Sequence, residues 1–197
     1  MIEDSSNRSE ELRANIREIL FSTEQIEERV RAMGAEISMD YAGRNPLLVG
    51  VLKGVLFFMA DLLRSISIPV EVDFMAVSSY SPEARERGLV RLVKDLETPL
   101  VERHVLFVED VVDTGLTLNY LLQNLRSRKP SSLEVCTLFN KSQHRLINIP
   151  IKYEGFELPD LFVVGYGLDY RERYRNLPFV GLLKPEAFQS GSKNIFE

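Results

Sequence analysis

With 197 residues and a net charge of −5, the chain is long enough for one domain with a sizeable core, and its composition is that of an ordinary globular protein. The acidic balance argues against a general nucleic-acid binder, which is usually basic. It still allows an anionic small ligand, because a few lysines, arginines and backbone amides can outweigh the mean field.

Cys136 is the only cysteine, so an internal disulfide is excluded and a reducing compartment fits. It lies in the apolar run 133–139 and reads as a small buried hydrophobe. No stretch reaches membrane-spanning length; the longest candidate, 49–63, contains Lys53 and Asp61. The polar, acidic start lacks the basic-then-apolar order of a signal peptide. The expectation is a cytoplasmic protein with neither a membrane nor a nucleic-acid partner.

Residues 9–20 carry Leu12, Ile16, Ile19 and Leu20 at spacings that predict a short helix. Ser22-Thr23-Glu24-Gln25 then forms a capping box, with Ser22 as N-cap and Gln25 reaching back. Ile26, Val30, Met33, Ile37 and Tyr41 predict an amphipathic helix over 23–41. A strand at 47–52 delivers Lys53-Gly54, and an almost wholly apolar helix at 55–63 implies burial between layers. Residues 70–79 alternate as a strand and 89–96 return as another, joined by the charged loop 81–88. The apolar run 105–108 reads as a strand, Glu109, Asp110 and Asp113 as an acidic loop, and Leu118, Leu121, Leu122 and Leu125 as one face of a helix. Further strands are expected at 133–139, 161–164 and 178–183, and a polar tail at 186–197. Strands alternating with helices predict an α/β fold with a Rossmann-like parallel sheet flanked by helices.

The strand ends deliver polar clusters: Lys53-Gly54, then Glu109, Asp110, Asp113 and Thr114, then Lys141, then Asp169. In a parallel sheet such ends share one edge, where ligands bind. A helix start there offers unpaired N–H groups to an anion. Acids, hydroxyls and a glycine at 109–117 therefore suggest a ligand bearing both hydroxyls and a phosphate. No G-x-x-x-x-G-K-[ST] occurs, and Gly165/Gly167 lacks the remainder of a dinucleotide fingerprint. His104 and His144 are the only histidines beside the lone cysteine, which argues against structural zinc.

VEDVVDTGLT at 108–117 resembles the phosphoribosyl diphosphate (PRPP) motif of the type I phosphoribosyltransferases. LKG at 52–54, SSY at 78–80, KDL at 94–96, Lys141 and the segment ELPDLFVVGYGLDYRERYRNLP at 157–178 extend the resemblance to the hypoxanthine-guanine branch, over about residues 20–184. The resemblance implies one phosphoribosyltransferase domain over 1–197, with a core at about 40–150 and a small hood from about 1–25 and 151–197. It implies a purine salvage enzyme joining PRPP to hypoxanthine or guanine, giving IMP or GMP and pyrophosphate. Assembly as a homodimer or homotetramer goes with it.

Residue by residue, the resemblance implies that Glu109 and Asp110 accept the ribose hydroxyls. Residues 113–117 (Asp113, Thr114, Gly115, Leu116 and Thr117) would hold the 5′-phosphate. Asp113 would serve as catalytic acid or base at the purine N7. Lys53, Gly54 and Arg175 would take the pyrophosphate, and a non-proline cis peptide is implied at Leu52-Lys53. Lys141 would donate to the purine O6, Phe162 would stack on the base, and the main chain of Val163 and Asp169 would read the 2-position edge. Magnesium is implied as cofactor, near Glu109, Asp110 and Asp169. Ser79 and Tyr80 would begin a lid.

The lid region departs from the family pattern in its charge (Glu83, Arg85, Glu86, Arg87, Arg91), and Ser78 stands where some relatives have lysine. Two alternatives accompany the leading reading. One is a xanthine-preferring 6-oxopurine enzyme, and the other is a PRPP-sensing regulator on the same fold. The presence of Asp113, Lys141, Asp169 and Arg175, without an appended DNA-binding helix-turn-helix, favours the enzyme.

Overall fold

The computed structural model describes residues 12–79 and 90–189. They divide between two compact units, one spanning Glu27–Asp160 and the other drawn from Met1–Ile26 and Leu161–Glu197.

The larger unit is built on a six-stranded sheet. Its strands are β2 (Leu47–Leu52), β3 (Glu71–Ser79), β4 (Val90–Lys94), β5 (His104–Val112), β6 (Ser132–Asn140) and β7 (Tyr153–Glu157). Their order is β4-β3-β2-β5-β6-β7, parallel throughout except for β4, which returns antiparallel to β3. The central strands are apolar at consecutive positions because both faces are covered. Leu47, Val49, Val105 and Phe107 face one way and pack with Leu118, Leu121, Leu122 and Leu125 of helix α3 (Leu116–Ser127).

On the alternate face, a Cβ at Gly50 would come within 2.9 Å of Val55 and Met59 side-chain carbons, the latter in helix α2 (Leu56–Ser65). Helix α1 (Thr23–Asp40) buries Ile26, Val30, Met33 and Ile37, the stripe its spacing predicts. Gly34 lets α1 approach the end of α2 closely, since a Cβ there would lie 2.6 Å from Ser65.

The smaller unit carries the antiparallel sheet β1-β9-β8, from β1 (Ile16–Phe21), β8 (Val163–Val164) and β9 (Val180–Leu183). Val164, Tyr174, Leu177, Phe179, Leu183 and Ala187 form its core, with Ala187 in the short helix α4 (Pro185–Gln189). Ser22 caps α1 as expected: Gln25 N–H donates to Ser22 Oγ at 3.3 Å, and Ser22 N–H to Gln25 Oε1 at 2.8 Å.

Several expectations are corrected. Residues 16–21 form strand β1, and among the described residues before it helical geometry is confined to 12–14. Register shifts between Ile16 and Glu18 and between Ile19 and Phe21 hide the two-residue alternation and leave apolar spacings that mimic a helix. Strand β5 continues through Glu109 and Asp110 to Val112, so these acids end a strand and do not occupy a loop. Helix α2 is one-sided: Leu56 and Phe57 are exposed, and burial falls on Phe58, Met59 and Leu62. Tyr153–Glu157, expected in the hood, is the edge strand of the larger sheet, parallel to β6. The expected strand 161–164 shortens to Val163–Val164, with Leu161 and Phe162 exposed. No helix among the described residues is long and apolar enough to cross a membrane.

Candidate active site

Three neighbouring strands of the larger unit, β2, β5 and β6, end beside one another. Strand β2 runs directly into a cis peptide at Leu52-Lys53 and then Gly54. Gly54 is where Asp110 sits. A Cβ at position 54 would overlap Asp110 Oδ2 and lie 2.9 Å from its Cγ, so only glycine leaves room for this carboxylate. Asp110 Oδ1 also accepts the Val111 N–H at 2.9 Å, which fixes the plane of the group.

Glu109, the preceding residue on β5, behaves differently. Burial pushes its carboxyl well above the usual range, and the charge of Asp110 adds to the effect. A cation or a pair of hydroxyl donors beside Glu109 would favour its ionised form.

After β5 the chain turns through Asp113, Thr114 and Gly115 into α3. Gly115 is the N-cap in the left-handed region (φ 82°), with no side-chain capping bond. The helix therefore starts with N–H groups that α3 itself does not pair. Thr114 Oγ1 accepts the Leu116 N–H at 3.4 Å, and the Thr114 carbonyl accepts Leu146 N–H at 3.0 Å and Ile147 N–H at 3.3 Å. These bonds tie the loop after β5 to the loop after β6.

Lys141 follows β6, its N–H bonded to the Val112 carbonyl at 3.0 Å. Its side chain is only 13% exposed and its ammonium lies 3.7 Å from Asp160 Oδ1. It is thus a covered, paired cation, unlike an ordinary solvated strand-end lysine. Asp113 meets His144, whose Nδ1 lies 2.6 Å from Asp113 Oδ1. The hydrogen bond and charge of Asp113, with Asp160 behind, raise the imidazole above its ordinary value. Sequence reading missed His144 and Asp160 as site residues. His144 lies 31 positions from Asp113, and no motif links them.

Phe162, Val163, Asp169 and Arg175 lie in the smaller unit. Phe162 is half exposed and stands edge-on to Tyr170 and Phe188, each ring centroid 5.8 Å away. Val163 is buried in β8, paired with Leu182. Asp169 Oδ1 is 2.8 Å from Arg175 Nη2, and Asp169 Oδ2 accepts the Glu172 N–H at 2.9 Å. Arg175 also donates to the Gly167 carbonyl at 2.7 Å, while its buried Nε has no partner among the described residues. Asp169 and Arg175 were expected at different ligand groups; here they bind one another. Ser79 ends β3 opposite Val90, whereas Tyr80 lies outside the described residues, as does the loop 81–88.

Residues 17–171 match the phosphoribosyl transferase domain. The chain is 47% identical over 179 residues to a hypoxanthine-guanine phosphoribosyltransferase of Bacillus subtilis, covering 91% of this chain and 99% of that protein. A namesake from Streptococcus agalactiae is 48% identical, with coverage of 90% and 98%. A crystal structure of a hypoxanthine phosphoribosyltransferase from Staphylococcus aureus superposes with a TM-score of 0.86 at 44% identity, over 89% of this chain and 96% of that one. An acidic strand end seated on a glycine, on a chain this similar over nine-tenths of its length, places the protein in the hypoxanthine-guanine phosphoribosyltransferase family.

Proposed function

We propose that this transferase moves the 5-phosphoribosyl group of PRPP to hypoxanthine or guanine, giving IMP or GMP and pyrophosphate in purine salvage. The observation that carries the reading is the Asp110 carboxylate seated on Gly54, beside the strand ends that bear Asp113 and Lys141. Asp110 and Glu109 accept the ribose hydroxyls, and the amides at the start of α3, with Thr114 and Thr117, receive the 5′-phosphate. Lys53, the Gly54 amide and Arg175 take the pyrophosphate, the last after exchanging Asp169 for phosphate oxygens.

As the purine N9 bonds to the anomeric carbon, the bond to pyrophosphate breaks and its electron pair leaves with that group. Asp113 takes the N7 proton. Lys141 donates to the 6-oxygen, Phe162 stacks on the ring, and Val163 and Asp169 read the 2-position edge through their main chains.

Magnesium fits the donor set. Glu109 and Asp110 are successive residues near the end of β5 and would hold an ion together with substrate oxygens and water, with Asp169 near a second. When bound it would offset the charge on the departing pyrophosphate. A cytoplasmic location and assembly as a homodimer or homotetramer belong to the same reading, supported by family membership.

Offering hypoxanthine, guanine, xanthine and adenine separately with PRPP and magnesium tests the base assignment. Hypoxanthine and guanine should be consumed, and adenine at least about 10²-fold more slowly, because its 6-amino group faces an ammonium donor with no acceptor between them. Turnover of adenine equal to that of hypoxanthine would contradict the role of Lys141.

A further inference from the structure

We propose that His144 is a positioning residue for Asp113, its Nδ1–H holding Oδ1 of the carboxylate so that Oδ2 alone is left to take the purine proton. This inference rests on Asp113 acting as the base of the transfer. Asp113 sits on an exposed turn, where an unrestrained carboxylate rotates freely. The 2.6 Å contact to Nδ1 removes that freedom.

The contact is built from the backbone. His144 ends the 3₁₀ turn Ser142–His144, whose His144 N–H bonds to the Lys141 carbonyl at 3.1 Å. Two residues on, Leu146 and Ile147 bond to the carbonyl of Thr114, next to Asp113. The two loops are therefore joined beside the pair, and the main chain brings the imidazole to the carboxylate. An acid held at one oxygen by an imidazole N–H is oriented in the way an orienting partner fixes a catalytic base.

The charged groups facing His144 are Asp113 on the loop after β5, Asp160 at 3.9 Å on the loop after β7, and Lys141 at the start of its own turn. Glu157 is taken up by Ser142 Oγ at 2.5 Å. The two aspartates outweigh the lysine, so the imidazole keeps its proton above the ordinary pH 6.5. The protonated ring holds the carboxylate as a charged pair, and its positive charge opposes transfer of the purine proton to Asp113. The neutral ring still donates from Nδ1 and orients without that opposition. Turnover should therefore rise as pH increases through the titration of His144.

The test is steady-state kinetics with hypoxanthine, PRPP and magnesium on the wild type, His144→Ala, His144→Asn and Asp113→Asn across pH 5.5–9. Asparagine presents an uncharged N–H donor near the position of Nδ1. His144→Ala should lower kcat roughly tenfold with the KM for PRPP within about twofold, as loss of orientation at the base alone requires. His144→Asn should recover most of the wild-type kcat and lose the rise above pH 6.5. An unchanged kcat in His144→Ala, equal loss in both His144 variants, or the same pH rise in His144→Asn as in wild type would each overturn the proposal. Full activity in Asp113→Asn would instead remove the base assignment on which it rests. Collapse there with His144→Ala unaffected would remove only the role of His144.

Discussion

Asp113→Asn is expected to lower turnover by about 10²–10⁴-fold, the usual range for removing a positioned acid or base. Asparagine keeps the size of the side chain and an oxygen that can still accept from His144 Nδ1, 2.6 Å away in the native protein. The loop geometry should therefore survive. What is lost is the negative charge that, on the proposed role, would receive the N7 proton as N9 bonds to the anomeric carbon. On the proposed roles PRPP would be addressed mainly by Glu109, Asp110 and the start of α3, so its affinity should change by less than about threefold. Measuring kcat beside equilibrium binding of PRPP separates the two effects. Equal losses in both would mean that Asp113 serves PRPP binding and not proton transfer.

Gly54→Ala should damage the opposite quantity. The added methyl falls on Asp110 Oδ2 and 2.9 Å from Cγ, and the carboxylate is the part able to move. Since the obstruction is a side-chain end and not backbone, the sheet should persist with little loss of thermal stability. Hydrogen bonds to a charged group contribute roughly 1.5–3 kcal/mol each, so displacing this carboxylate from a ribose hydroxyl should weaken PRPP binding about 10–150-fold. Titration of PRPP into the variant checks this. Native affinity in a folded Gly54→Ala protein would show that Asp110 does not need the place it occupies over Gly54.

The two variants act on a site whose parts were unequally legible. The strand at 47–52, the α1 stripe of Ile26, Val30, Met33 and Ile37, and the Ser22–Gln25 box follow from local chemistry, and the structure has them where their spacing predicts. The acids of β5 could be read as a site because parallel strands deliver their ends to one edge, although the strand itself runs on to Val112.

Elements failed where local pattern and tertiary pairing diverge. In β1 two register shifts break the alternation. In β7 the sequence YEGFE carries two glutamates, one of which, Glu154, accepts from Asn140 Nδ2 at 2.8 Å. There Gly155 has no Cβ to meet the Leu138 backbone. Such an edge strand is recognisable only once its neighbour is known. Within the site, Gly54 was expected at the pyrophosphate, and its packing against Asp110, 56 positions along the chain, required the fold. So did the Asp113–His144 pair and the Asp169–Arg175 pair, since each depends on side chains that no sequence period brings together.

Product analysis with purified protein, magnesium, PRPP and hypoxanthine shows whether this chain breaks PRPP at the anomeric carbon and joins the sugar to a 6-oxopurine. IMP and pyrophosphate should form in equal amounts, with hypoxanthine consumed one for one. Pyrophosphate released without nucleotide, or no reaction with any purine base, would contradict that reaction.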